Sequence, residues 1–311
     1  MLKKTILEKF LMYRSSIYPL DCNTANNYTL SIEELQSKDS RSTLNKFLHY
    51  GLSYIREATF MMTSFYRELN VSPEYWDPAN KAVEWKKGNK GLVILVHGLR
   101  GHPSHFDRHI ELIRKHCPDF EVIAPYVHKK GDCSLEEATT PILNIAKDYG
   151  VKHPDNLVCL IGFSNGARIT VKMALELAKL PISIKVSTIA GVHFGTEMVN
   201  LFHRYKIDSY FFGEDIVKEL QYGSELARLT IEKMRSVEAK GKISWEFYSS
   251  SNDRVIAPFT SSLPFIENAT YYSTSGYGHC SLVEFVCEHQ IEKCVEWINN
   301  HSKEHVDSSS S

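Results

Sequence analysis

The sequence contains no apolar run of 18 residues, so no segment is expected to cross a bilayer as a helix. Neither sign of charge is in excess. Thirty-six lysines and arginines stand against 37 aspartates and glutamates, for a formal net charge of -1. A balance this even lacks the electrostatic footprint of a nucleic-acid binder, and no nucleic-acid partner is expected. Paired cysteine motifs are also missing. The seven cysteines are odd in number and form no CxxC pair, and several lie inside apolar runs, as Cys159 does. That argues against a disulfide framework or a zinc site, and for free thiols in a reducing compartment. The first residues carry lysines, but Glu8 and Lys9 interrupt the apolar stretch and no small-residue cleavage site follows, unlike a secretory signal. A cytoplasmic location is the expectation. Export by a route that reads no N-terminal signal would leave no mark here.

What is present fits an ordinary globular protein. The chain has 311 residues, 43% of them apolar and 23% charged, enough for one large α/β domain with appendages. Three parts are expected: a helical, polar-rich N-terminal extension over 1–90, an alternating strand and helix region over 91–300, and a polar, disordered tail over 301–311. In the extension, Ser42 to Leu69 reads as a helix. Leu44, Leu48, Leu52, Ile55, Met62, Phe65, Tyr66 and Leu69 recur at three- and four-residue steps. That stripe suits packing against the main domain. A surface that meets lipid, with Phe60, Met61 and Met62 on it, is the alternative. In the second part, strands are expected at 91–96, 120–124, 157–163, 182–190, 243–249 and 269–273. Helices are expected at 104–117, 135–149, 165–180 and 281–299. Strands that are apolar throughout and alternate with helices imply a mostly parallel sheet with helices on both faces.

Gly162-Phe163-Ser164-Asn165-Gly166 is a G-x-S-x-G sequence between a buried strand and a helix. A turn that sharp forces the serine into a strained backbone conformation and lifts its hydroxyl above the sheet edge. A serine hydroxyl needs an adjacent base. Of the fourteen histidines, His279 follows the last strand on the glycine-rich loop Ser275-Gly276-Tyr277-Gly278-His279, whereas His289 and His301 read as surface residues. Asp253, on the loop after strand 243–249, is the acid that would orient it, with Glu267 as the alternative. The oxyanion would be held by the backbone N–H groups of Asn165 and of Leu99, in the loop His97-Gly98-Leu99-Arg100-Gly101. His97 would brace that loop. Arg100, His102 and His105 could meet a phosphate head group or be solvated loop residues.

These pieces, in this order, resemble the lipase/esterase branch of the α/β-hydrolases. The matching blocks are Leu95-Val96-His97-Gly98-Leu99, Gly162 to Gly166, Thr188 to Thr196, Asn252 to Pro258 and Gly278 to Leu282. The resemblance covers about two-thirds of the chain and implies the α/β-hydrolase fold, the triad and an ester-like substrate. The sequence departs from that pattern with Phe163 where many relatives have His, Ala167 for a frequent Gly, and Phe194 where Arg is common. A helical cap insertion is expected at about 198–235, holding Phe202, Tyr205, Tyr210, Phe211, Phe212 and Tyr222. It would line an acyl-chain site or be a packed helical excursion. The whole reads as hydrolysis of carboxylic esters, of lipid or small-molecule type, with no metal and no organic cofactor. Acyl-thioester hydrolysis by the same triad, or a non-enzymatic binding module on this fold, are the alternatives. The sequence is silent on oligomeric state.

Overall fold

The computed structural model describes residues 17–20, 42–69, 71–78, 83–208, 212–238 and 241–308. Cys22 and the cap residues Tyr210 and Phe211 lie outside them. Among the described residues, eight strands form one sheet: β1 (Tyr18–Leu20), β2 (Tyr75–Trp76), β3 (Gly91–Val96), β4 (Phe120–Pro125), β5 (Leu157–Phe163), β6 (Ser183–Ile189), β7 (Ile243–Ser250) and β8 (Thr270–Thr274). Their order is β1-β8-β7-β6-β5-β3-β4-β2. Every pairing is parallel except β1 against β8.

The central strands show why this sheet is covered on both sides. All six residues of β3 are buried. Leu92, Ile94 and Val96 enter one apolar cluster, and Val93 and Leu95 enter the other. A strand with alternate side chains in two cores must be apolar throughout. The first cluster is closed by α3 (Leu135–Lys152), α4 (Asn165–Leu177) and α7 (Glu225–Glu238), through Ile142, Ala146, Ile169, Met173, Ile231 and Met234. The second is closed by α2 (Asp107–His116) and α8 (Ser281–Ser308), through Ile110, Ile113, Val286, Ile291 and Cys294. Two helix starts are capped by serine side chains, Ser42 for α1 (Thr43–Arg67) and Ser134 for α3. Between β6 and β7 the cap region contributes α5 (Glu197–Arg204), α6 (Glu214–Leu220) and α7. The buried cysteines Cys117, Cys133, Cys159, Cys287 and Cys294 and the half-buried Cys280 carry free thiols. Among the described residues no helix is long and apolar enough to cross a membrane.

Three expectations change. The N-terminal extension is not purely helical, because β1 and β2 supply both edges of the sheet. Strands of three and two residues are too short to display a period. The tail expected to be disordered continues α8 as far as Ser308; no glycine or proline interrupts residues 281–308. The apolar stripe of α1 does not face inward as a unit. Leu52 is buried, while Ile55, Met62, Phe65, Tyr66 and Leu69 are exposed. The inner face carries His49, Leu52, Ser53, Phe60 and Ser64 instead, so Phe60 packs inward. Helical spacing marks an apolar face without saying which side the fold will use.

Candidate active site

Parallel strands bring their carboxyl ends to one edge. The chain leaves β3 outward to β4 and returns to β5 on the other side, so strand order reverses between β3 and β5, where open α/β sheets form their crevice. Val96 and Gly162 are in register at the ends of these two strands. The loops that follow therefore emerge side by side.

Ser164 sits between β5 and α4 with φ 56° and ψ -122°, a strained backbone for a residue with a Cβ. The turn fits because of its neighbours. A Cβ on Gly166 would lie 2.1 Å from the Val96 carbonyl oxygen, and one on Gly98 would lie 2.8 Å from Ser164 Cβ. These glycines let the loop after β3 pass against the serine. Asn165 opens α4, so its N–H is one of the first-turn donors that no carbonyl of the helix can accept. His97 holds the loop from beneath. Its Nε2 accepts the Val127 N–H at 3.2 Å, and burial pushes its pKa down to about 3, so it stays neutral.

The sequence-predicted base and acid come to the same place. His279 Nε2 lies 2.9 Å from Ser164 Oγ, and its Nδ1 lies 2.7 Å from Asp253 Oδ2. The other carboxylate oxygen of Asp253 accepts the N–H groups of Val255 at 2.9 Å and Ile256 at 3.0 Å. An ionised carboxylate only accepts, so it requires a proton on Nδ1 and leaves the Nε2 lone pair for the serine hydroxyl. All three side chains are buried, each below 10% exposure. The alternative acid, Glu267, is exposed and precedes β8, whereas His279 follows it. Glu267 is therefore at the opposite end of that strand. A buried sheet edge that presents a serine elbow after β5, an acid after β7 and a histidine after β8 decides the architecture.

The chain has the α/β-hydrolase fold. Within this fold, solved structures of several hydrolases resemble it at low identity. Phospholipase PlaB from Legionella pneumophila, in complex with thio-NAD, is 16% identical with a TM-score of 0.41, over 51% of this chain and 38% of that one. The match thus spans well under half of that phospholipase. A structure of the metagenome-derived lipolytic enzymes LipS and LipT is 13% identical with a TM-score of 0.49, over 69% of this chain and 95% of that one. An α/β-hydrolase superfamily protein from Enterococcus faecalis is 12% identical with a TM-score of 0.47, over 69% and 92%. No protein-family model and no curated protein matches the sequence.

The surroundings of this candidate site differ from expectation in three respects. Arg100 pairs with Asp132 at 2.7 Å, and burial pushes the His105 pKa down to about 4. His102 turns its Nδ1 to Ser104. None of the three is a free cation for a phosphate. The cap reaches the site mostly with aliphatic side chains, with Phe212 as the aromatic residue packed against them. Val199, Ile216, Val217 and Leu220 form a buried cluster with Val192 and Ile256, against which Leu99 and Val255 pack. Phe202 and Phe212 stack on each other at 6.1 Å, and Tyr205 is exposed. His289, read as a surface residue, is half-buried with Nδ1 2.8 Å from the Tyr248 hydroxyl.

Sequence reasoning missed the residues that tie the loops together. Thr196 Oγ1 donates to the Val255 carbonyl at 2.7 Å and accepts the Ala257 N–H at 3.2 Å. Asn252 Oδ1 accepts the Gly276 N–H at 2.7 Å, and Ser250 Oγ donates to the Tyr277 carbonyl at 2.6 Å. Thr196 and Asn252 lie in matching blocks and Ser250 just before one, but a side chain's distant partner leaves no periodic signal.

Proposed function

We propose that this protein is a serine hydrolase that cleaves carboxylic esters through an acyl-enzyme. The observation that carries the reading is the pair of contacts at His279, 2.9 Å to Ser164 Oγ and 2.7 Å to Asp253 Oδ2. Ser164 Oγ attacks the ester carbonyl carbon as its proton passes to His279 Nε2. The tetrahedral oxyanion is held by the N–H groups of Leu99 and Asn165. The carbon–oxygen bond to the alcohol then breaks, and the leaving oxygen takes the proton from Nε2. A water enters, gives a proton to the same nitrogen, and attacks the acyl carbon. The acid product departs and Ser164 recovers its proton. Asp253 fixes the tautomer and stabilises the imidazolium throughout. The chemistry as written calls for no metal or organic cofactor.

Lipid or long acyl esters are the favoured substrates, because the aliphatic cluster of Val199, Ile216, Val217 and Leu220 meets Leu99 and Ile256 beside the reacting groups. Peripheral contact with a lipid surface belongs to this reading. The outer side of α1 exposes Phe47, Met61, Met62, Phe65 and Leu69. The free thiols support a cytoplasmic location. The test is labelling of the folded protein with a fluorophosphonate, followed by hydrolysis of p-nitrophenyl esters of rising chain length beside phospholipids and acyl-CoA. A Ser164 adduct and turnover that rises with chain length are expected. Faster turnover of acyl-CoA would move the reading to a thioesterase. Folded protein with no Ser164 adduct would leave a binding module.

A further inference from the structure

Helix α1 comes from the part of the chain to which no chemistry was assigned, yet its inner face is aimed at one loop. Residues 275–281 carry His279 from the end of β8 into α8, and α1 holds them at five places. His49 Nδ1 lies 3.0 Å from Ser275 Oγ. Arg56 Nη1 donates to the Gly276 carbonyl at 2.7 Å, and its guanidinium lies 4.0 Å over the Tyr277 ring. The two oxygens of Glu57 each accept one backbone N–H, from Cys280 at 2.8 Å and from Ser281 at 2.9 Å.

The last of these contacts bears on the base. Ser281 begins α8, and the first N–H groups of a helix lack partners within it. A side chain just before the helix ordinarily supplies the acceptor. Here the acceptor comes from a residue more than 200 positions earlier, and its negative charge meets the positive end of the helix. Gly278 is fitted to the same contact, since a Cβ there would lie 2.5 Å from Glu57 Oε2. His279 is thus bracketed. Asn252 and Ser250 hold the loop on its amino-terminal side, and Glu57 holds it on the carboxyl-terminal side. Docking of α1 does not need this arrangement, because Leu52 and Phe60 already bury apolar surface. Placing Arg56 and Glu57 at a partly buried contact costs solvation, and burial lowers the Arg56 pKa.

We propose that Glu57 is a positioning residue for His279. By fixing the N–H groups of Cys280 and Ser281 it sets the path of the loop, and so keeps Nε2 within reach of Ser164 Oγ. This rests on the reading of Ser164 and His279 as nucleophile and base. The experiment uses the full chain as wild type, Glu57→Ala, Glu57→Gln and Ser164→Ala. A fluorophosphonate counts competent sites, and p-nitrophenyl butyrate gives kcat per counted site and KM. Glu57→Ala is expected to lower kcat per site by about 10²-fold, the scale of a displacement of about 1 Å, with KM nearly unchanged. The fluorophosphonate should react more slowly by a similar factor. Glu57→Gln keeps one acceptor oxygen and should lose less. Fewer competent sites and a lower melting temperature, with kcat per site at the wild-type value, would mean a merely structural role and overturn the proposal. Should Glu57→Ala fail to fold, Glu57→Gln decides alone, and wild-type kcat per site in that variant overturns it. Wild-type turnover in Ser164→Ala would instead sink the hydrolase reading, and this proposal with it.

Discussion

Acid should unfold this protein through histidines that folding keeps neutral. His97, His109 and His193 are buried, and His105 is half-buried. Desolvation pushes His97 and His193 down to about 3, and His105 and His109 down to about 4. An unfolded histidine takes up its proton near pH 6.5. Between that value and about pH 4, the unfolded chain therefore carries up to four protons that the folded chain does not. Stability falls as the pH drops through this window, and is unaffected by these groups above about pH 7. At pH 5 each histidine costs about 2 kcal/mol, from about 1.5 pH units at about 1.4 kcal/mol per proton. Four such groups amount to about 8 kcal/mol, against a typical domain stability of about 5–15 kcal/mol. The assay is urea unfolding at a series of pH values from 7.5 to 5, on wild type and His193→Gln. His193 suits the comparison because it lies outside the proposed triad, with Nε2 3.1 Å from Thr188 Oγ1. The substitution will shift the whole curve by its own packing cost. Its slope below about pH 6 should also flatten by one proton, about 1.4 kcal/mol per pH unit. An unchanged slope, or a wild type as stable at pH 5 as at pH 7.5, would refute the reasoning.

Three further outcomes follow from the same structure. Asp253→Asn should fold normally and lose about 10⁴-fold in kcat, because an amide can hold His279 in the wrong tautomer; full activity in steady-state ester hydrolysis would return the acid role to another residue. Gly98→Ala places a Cβ 2.8 Å from Ser164 Cβ. It should displace the Leu99 N–H and cost about 10²–10³-fold in kcat, which the same assay would read. Lys185→Met removes the partner of Glu246 from an ion pair that is 6% and 3% exposed. Urea unfolding at neutral pH should show a loss of about 3–5 kcal/mol, and a loss below about 1 kcal/mol would mean that Ser187 alone satisfies the carboxylate.

The parts of the fold that were legible in the sequence are those in which one segment meets the same environment along its length. β3 and β5 are apolar at every position because both faces are covered, and a continuous run announces that without any alignment of partners. The serine elbow was legible for a similar reason, since its strand, strained turn and helix all lie within about twenty residues. His279 and Asp253 needed one more step, their place after particular strands. β2 was not legible, because two residues carry no pattern. The inward face of α1 was not legible either. It is polar at His49, Ser53, Arg56 and Glu57, and the groups that satisfy His49, Arg56 and Glu57 belong to a loop more than 200 residues away. Apolar spacing pointed to the other side of the helix.

The loops of the site are held by contacts of that second kind. The Leu99 loop is tied to the chain after β4 by His97 on Val127 and by Arg100 on Asp132. Asp132 in turn accepts the Gly213 N–H at the start of cap helix α6. Thr196, at the start of cap helix α5, holds the chain just beyond Asp253, and Asn252 joins that loop to the one carrying His279. Glu57 closes the far side of the histidine. The proposed acid, base and oxyanion loop thus each owe their place to at least one side chain from another element. The cap is bonded to the loops that present both the proposed oxyanion donor and the proposed acid. A shift of the cap would therefore be felt at Leu99 and Asp253 together, while Ser164 is held separately by its own elbow, with its N–H on the Ile189 carbonyl. Under the proposed function, catalytic competence depends on how the cap and α1 sit, as much as on the three residues proposed to react.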